Sequence, residues 1–370
     1  MLGSSNKHGK LKIFTIVDII TFLRKEKQAT LKFHNTFYFT NLLNSGTFDP
    51  QGFDLKFVTK HQIKEEALMA IQHLAPINNK YYVYAVKSGK IVLIELSSTS
   101  ITLIKDYEAH TTWVWKIEYN PDYNPEIFMT CSGDSNVKIF NYKETIPIKV
   151  IKGNTAITYV LTAKIDADFF LFTGNNGYSL SYKLTAANNF EEFQKYKQFS
   201  SLIWSMCHPT NELYDKYLLT GCGESCVQLN YIYDSQESTK FCGQKNCGII
   251  QDILCLKNDP KLFLTSHNTG ITLWSMENST TPIKEVELGM NMYGLSYLIR
   301  NVLLAGSSAK LFIFDLDRLQ LSELADSSKY ETYSHDQANG TFYRMLTNRH
   351  SRTLVTCGLC GDSYIQVFEY

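Results

Sequence analysis

Nine cysteines and nine histidines are the side chains of this 370-residue sequence best suited to metal, redox or acid–base chemistry. Cys357-Gly358-Leu359-Cys360 has the spacing at which two sulfurs grip one zinc ion or close into a reducible pair. Cys222 with Cys226, or Cys242 with Cys247, are the nearest residues able to complete a four-sulfur set. The competing role is packing. Cys357 ends an apolar run and Cys360 falls in the turn after it, as Cys131 and Cys222 do elsewhere, and small thiols fill such places well. No metal ligand and no cofactor is assigned.

His208-Pro209 follows Trp204, and His335-Asp336 lies near the end of the chain; both invite a catalytic reading. A nucleophile, a base and an orienting group cannot be set around either from spacing, so no catalytic residue is assigned. Gly-x-Ser-x-Gly elbows, phosphate-cradling Gly-x-x-x-x-Gly-Lys-Ser/Thr loops and His-Glu-x-x-His pairs are all missing from the sequence. Gly221-Cys222-Gly223 resembles the start of a dinucleotide loop, yet two strand-like runs flank it and no helix follows.

The elements that carry these residues repeat. A Gly/Ser/Asn/Asp turn followed by alternating apolar residues recurs, most clearly as Ser132-Gly133-Asp134 before Val137 to Phe140, His267 to Gly270 before Ile271 to Trp274, and Gly361-Asp362-Ser363 before Ile365 to Phe368. Taking the last residue of each such strand as an anchor gives Ile94, Phe140, Ser181, Asn230, Trp274, Phe314 and Phe368. The intervals are about 40 to 50 residues, the length of one four-stranded propeller blade and too long for leucine-rich or ankyrin units. Alternation with period two also argues against helical repeats.

The sequence therefore predicts an all-β, seven-bladed β-propeller over residues 51–370, preceded by an extension over residues 1–50. Its copies fall near 64–97, 111–143, 155–184, 200–233, 247–276, 291–316 and 340–370. The last copy has material for only three strands, at Phe342 to Leu346, Leu354 to Cys357 and Tyr364 to Tyr370. An early strand at Phe53 to Val58 is expected to supply the fourth, which removes two open edges together. Polar stretches at Ala186 to Lys197 and Leu319 to Thr332 read as surface loops. Within the extension, Ile13 to Leu23 fits strand and helix equally.

Bulk composition is consistent with this. Tyr and Phe number 23 and 22, and flat rings suit half-buried pleated surfaces. Lys plus Arg and Asp plus Glu are equal at 36, so no overall field favours nucleic acid. An odd cysteine count scattered over different copies predicts reduced thiols and a cytoplasmic or nuclear protein. No apolar run reaches the roughly 18 residues that a spanning helix needs, so membrane insertion is not expected.

Ala109-His110, Trp113 to Pro121, Ile127 to Asp134 and Val137 to Asn141 together resemble a WD repeat. The resemblance implies a structural hydrogen-bond cluster of His110, Thr130 or Ser132, and Asp134, with Phe140 in the place of the usual aromatic. Phenylalanine has no N–H to donate there. The final copy offers His335 and Asp362, and the copy ending in Trp274 has Thr269 or Asn268 where the family has Asp. A loose likeness to the diphthine methylesterases, over Trp113 to Asn141 and Trp204 to Leu229, implies a hydrolase as the alternative function.

One further column of residues points to binding. Trp115, Tyr159, Trp204, Tyr293 and Tyr343 each lie roughly 21 to 26 residues before their anchor, at or near the start of the innermost strand of a blade. With Trp113 and Arg344 beside them, these rings are expected to line one end of a central channel and to hold partner proteins. For any single ring, wedging between blades is the competing role. The expectation is a non-catalytic interaction scaffold in a multi-subunit complex, with no direct nucleic-acid contact and no implied homo-oligomer.

Overall fold

The computed structural model describes residues 2–5, 11–14, 56–63, 67–75, 77–97, 100–186, 188–210, 212–243, 247–257, 259–299, 302–307, 310–316, 320–326, 344–348, 353–357 and 363–369. Every regular element among the described residues is a β-strand. The chain divides into two compact units, Met1–Asp49 and Pro50–Tyr370. In the first, β1 (Leu2–Ser5) and β2 (Leu11–Phe14) form an antiparallel pair. The rest of the run Ile13 to Leu23 lies outside the described residues.

In the second unit β3 (Lys56–Ile63) comes first. One four-stranded sheet follows from β4 (Leu68–His73), β5 (Tyr81–Val86), β6 (Ile91–Leu96) and β7 (Ile101–Tyr107), and another from β8 (Val114–Glu118), β9 (Ile127–Ser132), β10 (Asn136–Asn141) and β11 (Lys149–Lys152). A seven-stranded sheet then runs through β12 (Tyr159–Ile165), β13 (Asp168–Gly174), β14 (Asn176–Ala186), β15 (Asn189–Cys207), β16 (Tyr217–Cys222), β17 (Cys226–Tyr231) and β18 (Ser238–Cys242). Four-stranded sheets return with β19 (Ile250–Cys255), β20 (Leu262–His267), β21 (Gly270–Ser275) and β22 (Lys284–Glu287), and with β23 (Met292–Ile299), β24 (Val302–Ser307), β25 (Lys310–Asp315) and β26 (Gln320–Asp326). The last sheet has the order β27 (Arg344–Asn348), β28 (Thr353–Cys357), β29 (Ser363–Glu369), β3.

All pairings are antiparallel between chain neighbours, except that β29 takes β3 from the start of the unit, with Val367 opposite Thr59 and Ser363 opposite Ile63. Of the expected strand Phe53 to Val58, residues 56–58 lie on β3, and residues 53–55 lie outside the described residues. The anchors Ile94, Phe140, Asn230, Trp274, Phe314 and Phe368 fall on the third strand of their sheets, each opposite the residue two before a fixed position of the second strand. The anchor of the third copy is Tyr182, opposite Leu171, and not Ser181, which faces Phe172.

Two expected loops are strands. Residues 189–197 belong to the 19-residue β15, whose first half pairs with β14 and whose end pairs with β16. Residues 320–326 are β26, and the rest of the expected loop there, from 327 on, lies outside the described residues. An outermost strand has both faces near water, so its polar residues look like a loop in sequence.

The sheets bury their central strands on both faces because each packs between neighbours. Leu93 and Val83 of the first sheet meet Val114 and Phe128 of the second; Met129 and Ile139 meet Leu171 and Val160. Phe172 meets Ile203 across the two halves of the seven-stranded sheet, and Leu219 packs with Ile253 and Phe263. Leu264 packs with Leu303, and Tyr84 and Val92 of the first sheet pack with Val355 and Ile365 of the last. Thr347 on β27 donates its hydroxyl to the carbonyl of Tyr297 on β23.

A register position at the end of every second strand explains how the sheets approach so closely. Ala85, Cys131, Gly174, Gly221, Ser266, Gly306 and Cys357 all lie opposite the residue three before the anchor. Each is small. A Cβ built on Gly174 would lie 3.0 Å from Ile203 Cγ2, on the next inner strand, so a larger side chain has no room there.

Candidate functional site

The inner strands β4, β8, β12, β19, β23 and β27, with the end of β15, line one cavity of about 930 Å³. Ile71, Lys116, Leu161, Met206, Leu254, Leu295 and Met345 face it from one strand each. The strands run from an aromatic end to an end marked by Cys207, His208 and Asp215.

At the aromatic end, Trp113, Trp115 and Trp204 form a chain of rings. Centroids are 4.9 Å apart for Trp113 and Trp115, and 5.4 Å for Trp115 and Trp204, the second pair edge to face. Trp115 sits on β8 and Trp204 on β15, with β12 between them in sequence, so two indoles from non-consecutive inner strands meet. Turn glycines adjoin both rings: a Cβ on Gly133 would lie 3.6 Å from the Trp115 ring nitrogen, and one on Gly223 would lie 3.9 Å from that of Trp204, both ordinary contact distances. Trp113 is 38% exposed, with Lys87 Nζ 4.7 Å above its ring. Lys116 Nζ lies 4.9 Å from the centroid of Tyr159, whose side chain is only 4% exposed and packs with Phe172 and Ile203.

Tyr293 is half-buried on β23, its hydroxyl accepting a hydrogen bond from Asn291 Nδ2 at 3.3 Å. Arg344 opens β27, while Tyr343, His335, Asp362 and Cys360 lie outside the described residues.

The His110 cluster is a short buried relay. Asp134 accepts from the ring Nδ1 at 2.9 Å, and Nε2 lies 2.8 Å from Thr130 Oγ1. A carboxylate only accepts, so Nδ1 carries the proton and Nε2 accepts from the Thr130 hydroxyl. Burial holds His110 below the usual imidazole range, against the pull of Asp134. Burial of Asp134 opposes its charge, but His110 and the N–H groups of Thr111 and Asn136 outweigh it and hold the carboxyl below its ordinary range. Ser132 does a separate job, donating to the carbonyl of Thr112 and accepting from Asp134 N.

Thr130 belongs to a column that the sequence reading missed. Thr173, Thr220, Thr265 and Thr356 occupy its register position, and all are buried. Each hydroxyl finds a different partner. Trp274 Nε1 donates to Thr265 at 3.4 Å, Asn230 Nδ2 to Thr220 at 3.2 Å, and Tyr182 bonds to Thr173. The tyrosine and the amide thus act where an indole is absent, which leaves few buried polar groups unpaired.

Other candidates for chemistry are committed to structure. His208 Nε2 donates to the carbonyl of Asp215 at 2.7 Å, and burial lowers its pKa. Cys226 and Cys242 lie opposite each other on β17 and β18 and form a disulfide, which corrects the expectation of reduced thiols throughout. Among the described residues no three His, Cys, Asp or Glu side chains gather as metal ligands. No described helix is long and apolar enough to cross a membrane.

Glu118 at the end of β8 accepts from Thr162 N at 3.0 Å and Thr162 Oγ1 at 2.9 Å. Burial raises its pKa despite these bonds and the nearby Lys116. Glu118→Gln keeps the accepting oxygen and removes the buried charge. Urea unfolding at pH 7 is expected to show it unchanged or more stable by up to about 1 kcal/mol, in contrast to Glu118→Ala, which strands the Thr162 donors.

Antiparallel sheets stacked around one cavity, with Thr130, Thr173, Thr220, Thr265 and Thr356 buried at one shared register position, make this fold a WD40-type β-propeller. Among solved structures, it is similar to the crystal structure of the WD40 β-propeller domain of Doa1, with a TM-score of 0.65 over 85% of this chain and 97% of that one. Sequence identity is 10%, so the likeness concerns the fold alone. No family model matches the sequence, and no curated protein does.

Proposed function

We propose that this chain is a non-catalytic protein-interaction scaffold, a subunit of a larger cytoplasmic or nuclear complex. Residues 51–370 form seven four-stranded blades in a closed ring, and residues 1–50 form an extension. Three observations support the ring: β15 serves as outer strand of one blade and inner strand of the next, β3 completes the last sheet, and the first sheet packs on the last. Partner proteins bind at the end of the channel marked by Trp113, Trp115 and Trp204, with Tyr159, Tyr293 and Arg344 from the neighbouring inner strands and Tyr343 next to Arg344 in sequence.

The observation that carries this reading is the three-indole array with a lysine stacked on its exposed ring. Large rings already held in place lose little entropy on binding. Exposed lysines accompany other rings, Lys195 above Tyr178 and Lys240 above Phe199. Cations beside apolar faces suit an acidic segment that also carries an aromatic or aliphatic anchor.

The test is fluorescence anisotropy with labelled peptides of equal length: acidic with a central aromatic, the charge-reversed version, and a neutral one. The acidic peptide should bind at least about tenfold tighter than the reversed one, quench indole emission, and lose that preference in Lys87→Glu and Trp204→Ala. Equal binding of all three peptides, or binding untouched in both variants, rejects the proposal.

A further inference from the structure

At the opposite end of the cavity, two thiols from neighbouring inner strands are in direct contact. Cys207 closes β15 and Cys255 closes β19, and their sulfurs are 2.9 Å apart. The Cys207 S–H donates to Cys255 Sγ, and the Cys255 backbone N–H lies 3.4 Å from the Cys207 sulfur. Cys207 is half-buried and lines the cavity. Burial, and then the adjacent Cys207, hold the Cys255 thiol well above its ordinary range, so it keeps its proton.

This asymmetry assigns the roles. Cys207 lines the cavity and its sulfur accepts the Cys255 backbone N–H, while burial keeps the proton on the adjoining Cys255 thiol. A disulfide has sulfurs about 2.0 Å apart, so the pair must close by less than about 1 Å. We propose that Cys207 and Cys255 are a peroxide-responsive dithiol whose oxidation bolts two adjacent inner strands together.

The chemistry balances with one hydroperoxide as oxidant. Cys207 gives up its proton to solvent and its sulfur attacks the terminal peroxide oxygen; the O–O bond breaks, Cys207 becomes a sulfenic acid, and the alkoxide takes up a proton from solvent and leaves as alcohol. The Cys255 sulfur then attacks the Cys207 sulfur, the S–S bond forms, and the S–O bond breaks. Hydroxyl leaves as water with the Cys255 proton. Two thiols are oxidised to one disulfide, and the hydroperoxide is reduced to alcohol and water. The bond is distinct from Cys226–Cys242, which joins two strands of a single sheet. It is also independent of binding at the aromatic end.

The experiment treats the full-length protein with tert-butyl hydroperoxide, blocks remaining thiols with iodoacetamide, and maps non-reduced peptides by mass spectrometry. A peptide joined through Cys207 and Cys255 is expected, reversed by dithiothreitol, with Tm raised by about 5 °C in the oxidised protein. In Cys255→Ser the Tm rise should vanish and dimedone should capture a sulfenic acid at Cys207. Wild-type protein in which both residues stay alkylatable after peroxide, or in which Cys207 proceeds to sulfinic acid without the cross-link, overturns the proposal. The wild-type measurement decides even where the variant folds poorly.

Discussion

Replacing Gly221 by alanine is expected to cost the propeller about 3 kcal/mol, although it adds a single methyl group. The new Cβ would lie 2.5 Å from Ser205 Oγ and 2.6 Å from Ile250 Cγ2. Neither neighbour is free to retreat. Ile250 is buried at the start of β19, and Ser205 donates to the Ile250 carbonyl at 3.1 Å, one of the bonds that hold two inner strands together. Making room costs packing strain and that buried hydrogen bond. Gly133→Ala is the control, because its closest neighbour is the rotatable Thr112 side chain at 3.2 Å. Urea denaturation should place the control within about 1 kcal/mol of wild type; equal losses in the two variants would show that sheet-to-sheet approach is not the limiting contact.

Acid should weaken the fold well before its carboxylates are protonated. His267 is 4% exposed; Thr269 N–H and its hydroxyl face Nδ1, and Nε2 donates to Thr272 Oγ1 at 2.9 Å. Burial lowers its pKa to about 4, against the attraction of Glu287. In the unfolded chain the ring takes a proton near pH 6.5, so between those values the unfolded state binds more protons. The stabilisation is complete above about pH 6.5 and is lost as pH falls toward 4, amounting to about 3 kcal/mol. His110 and His208, also lowered by burial, act in the same direction, whereas the raised pKa of Glu118 acts in the other. Unfolding free energies measured from pH 7 to 4 should fall steeply in wild type and about 3 kcal/mol less in His267→Gln. Parallel curves would show that His267 is not held neutral.

What was legible in the sequence was whatever repeats with a strong side-chain signature. Turn residues and large anchors such as Trp274 and Phe140 located the third strands because alternation and period agree there. Where the anchor is weak, the frame slipped by one: Ser179 and Ser181 are as small and polar as their surroundings, and β14 carries a bulge between Ser181 and Tyr182. Outer strands failed for another reason. Glu191, Glu192, Phe193 and Lys195 are all exposed, and only Phe190 and Tyr196 mark that half of β15 as a strand.

The column of small residues escaped because its members are chemically unlike, being Ala, Cys, Gly and Ser. Only register shows that Cys131 and Cys357 belong with Gly174 and Gly221. The meeting of Trp115 with Trp204 depends on how far two inner strands diverge around a third, a tertiary fact that no local pattern encodes. The Cys207–Cys255 and Cys226–Cys242 pairs were hidden likewise, since sulfur contacts follow from which strand lies opposite which.

The 19 residues of β15 have a mechanical consequence. The described connections from β7 to β8, from β11 to β12 and from β22 to β23 are turns and loops that give under tension. Between β14 and β16 the link is one extended backbone, whose peptide bonds already lie close to full length and so have little slack. A pull on the outer edge at Phe190 would pass along covalent bonds to Trp204 before any loop could absorb it. Load applied at the periphery of this part of the propeller would therefore be felt directly at the indole cluster.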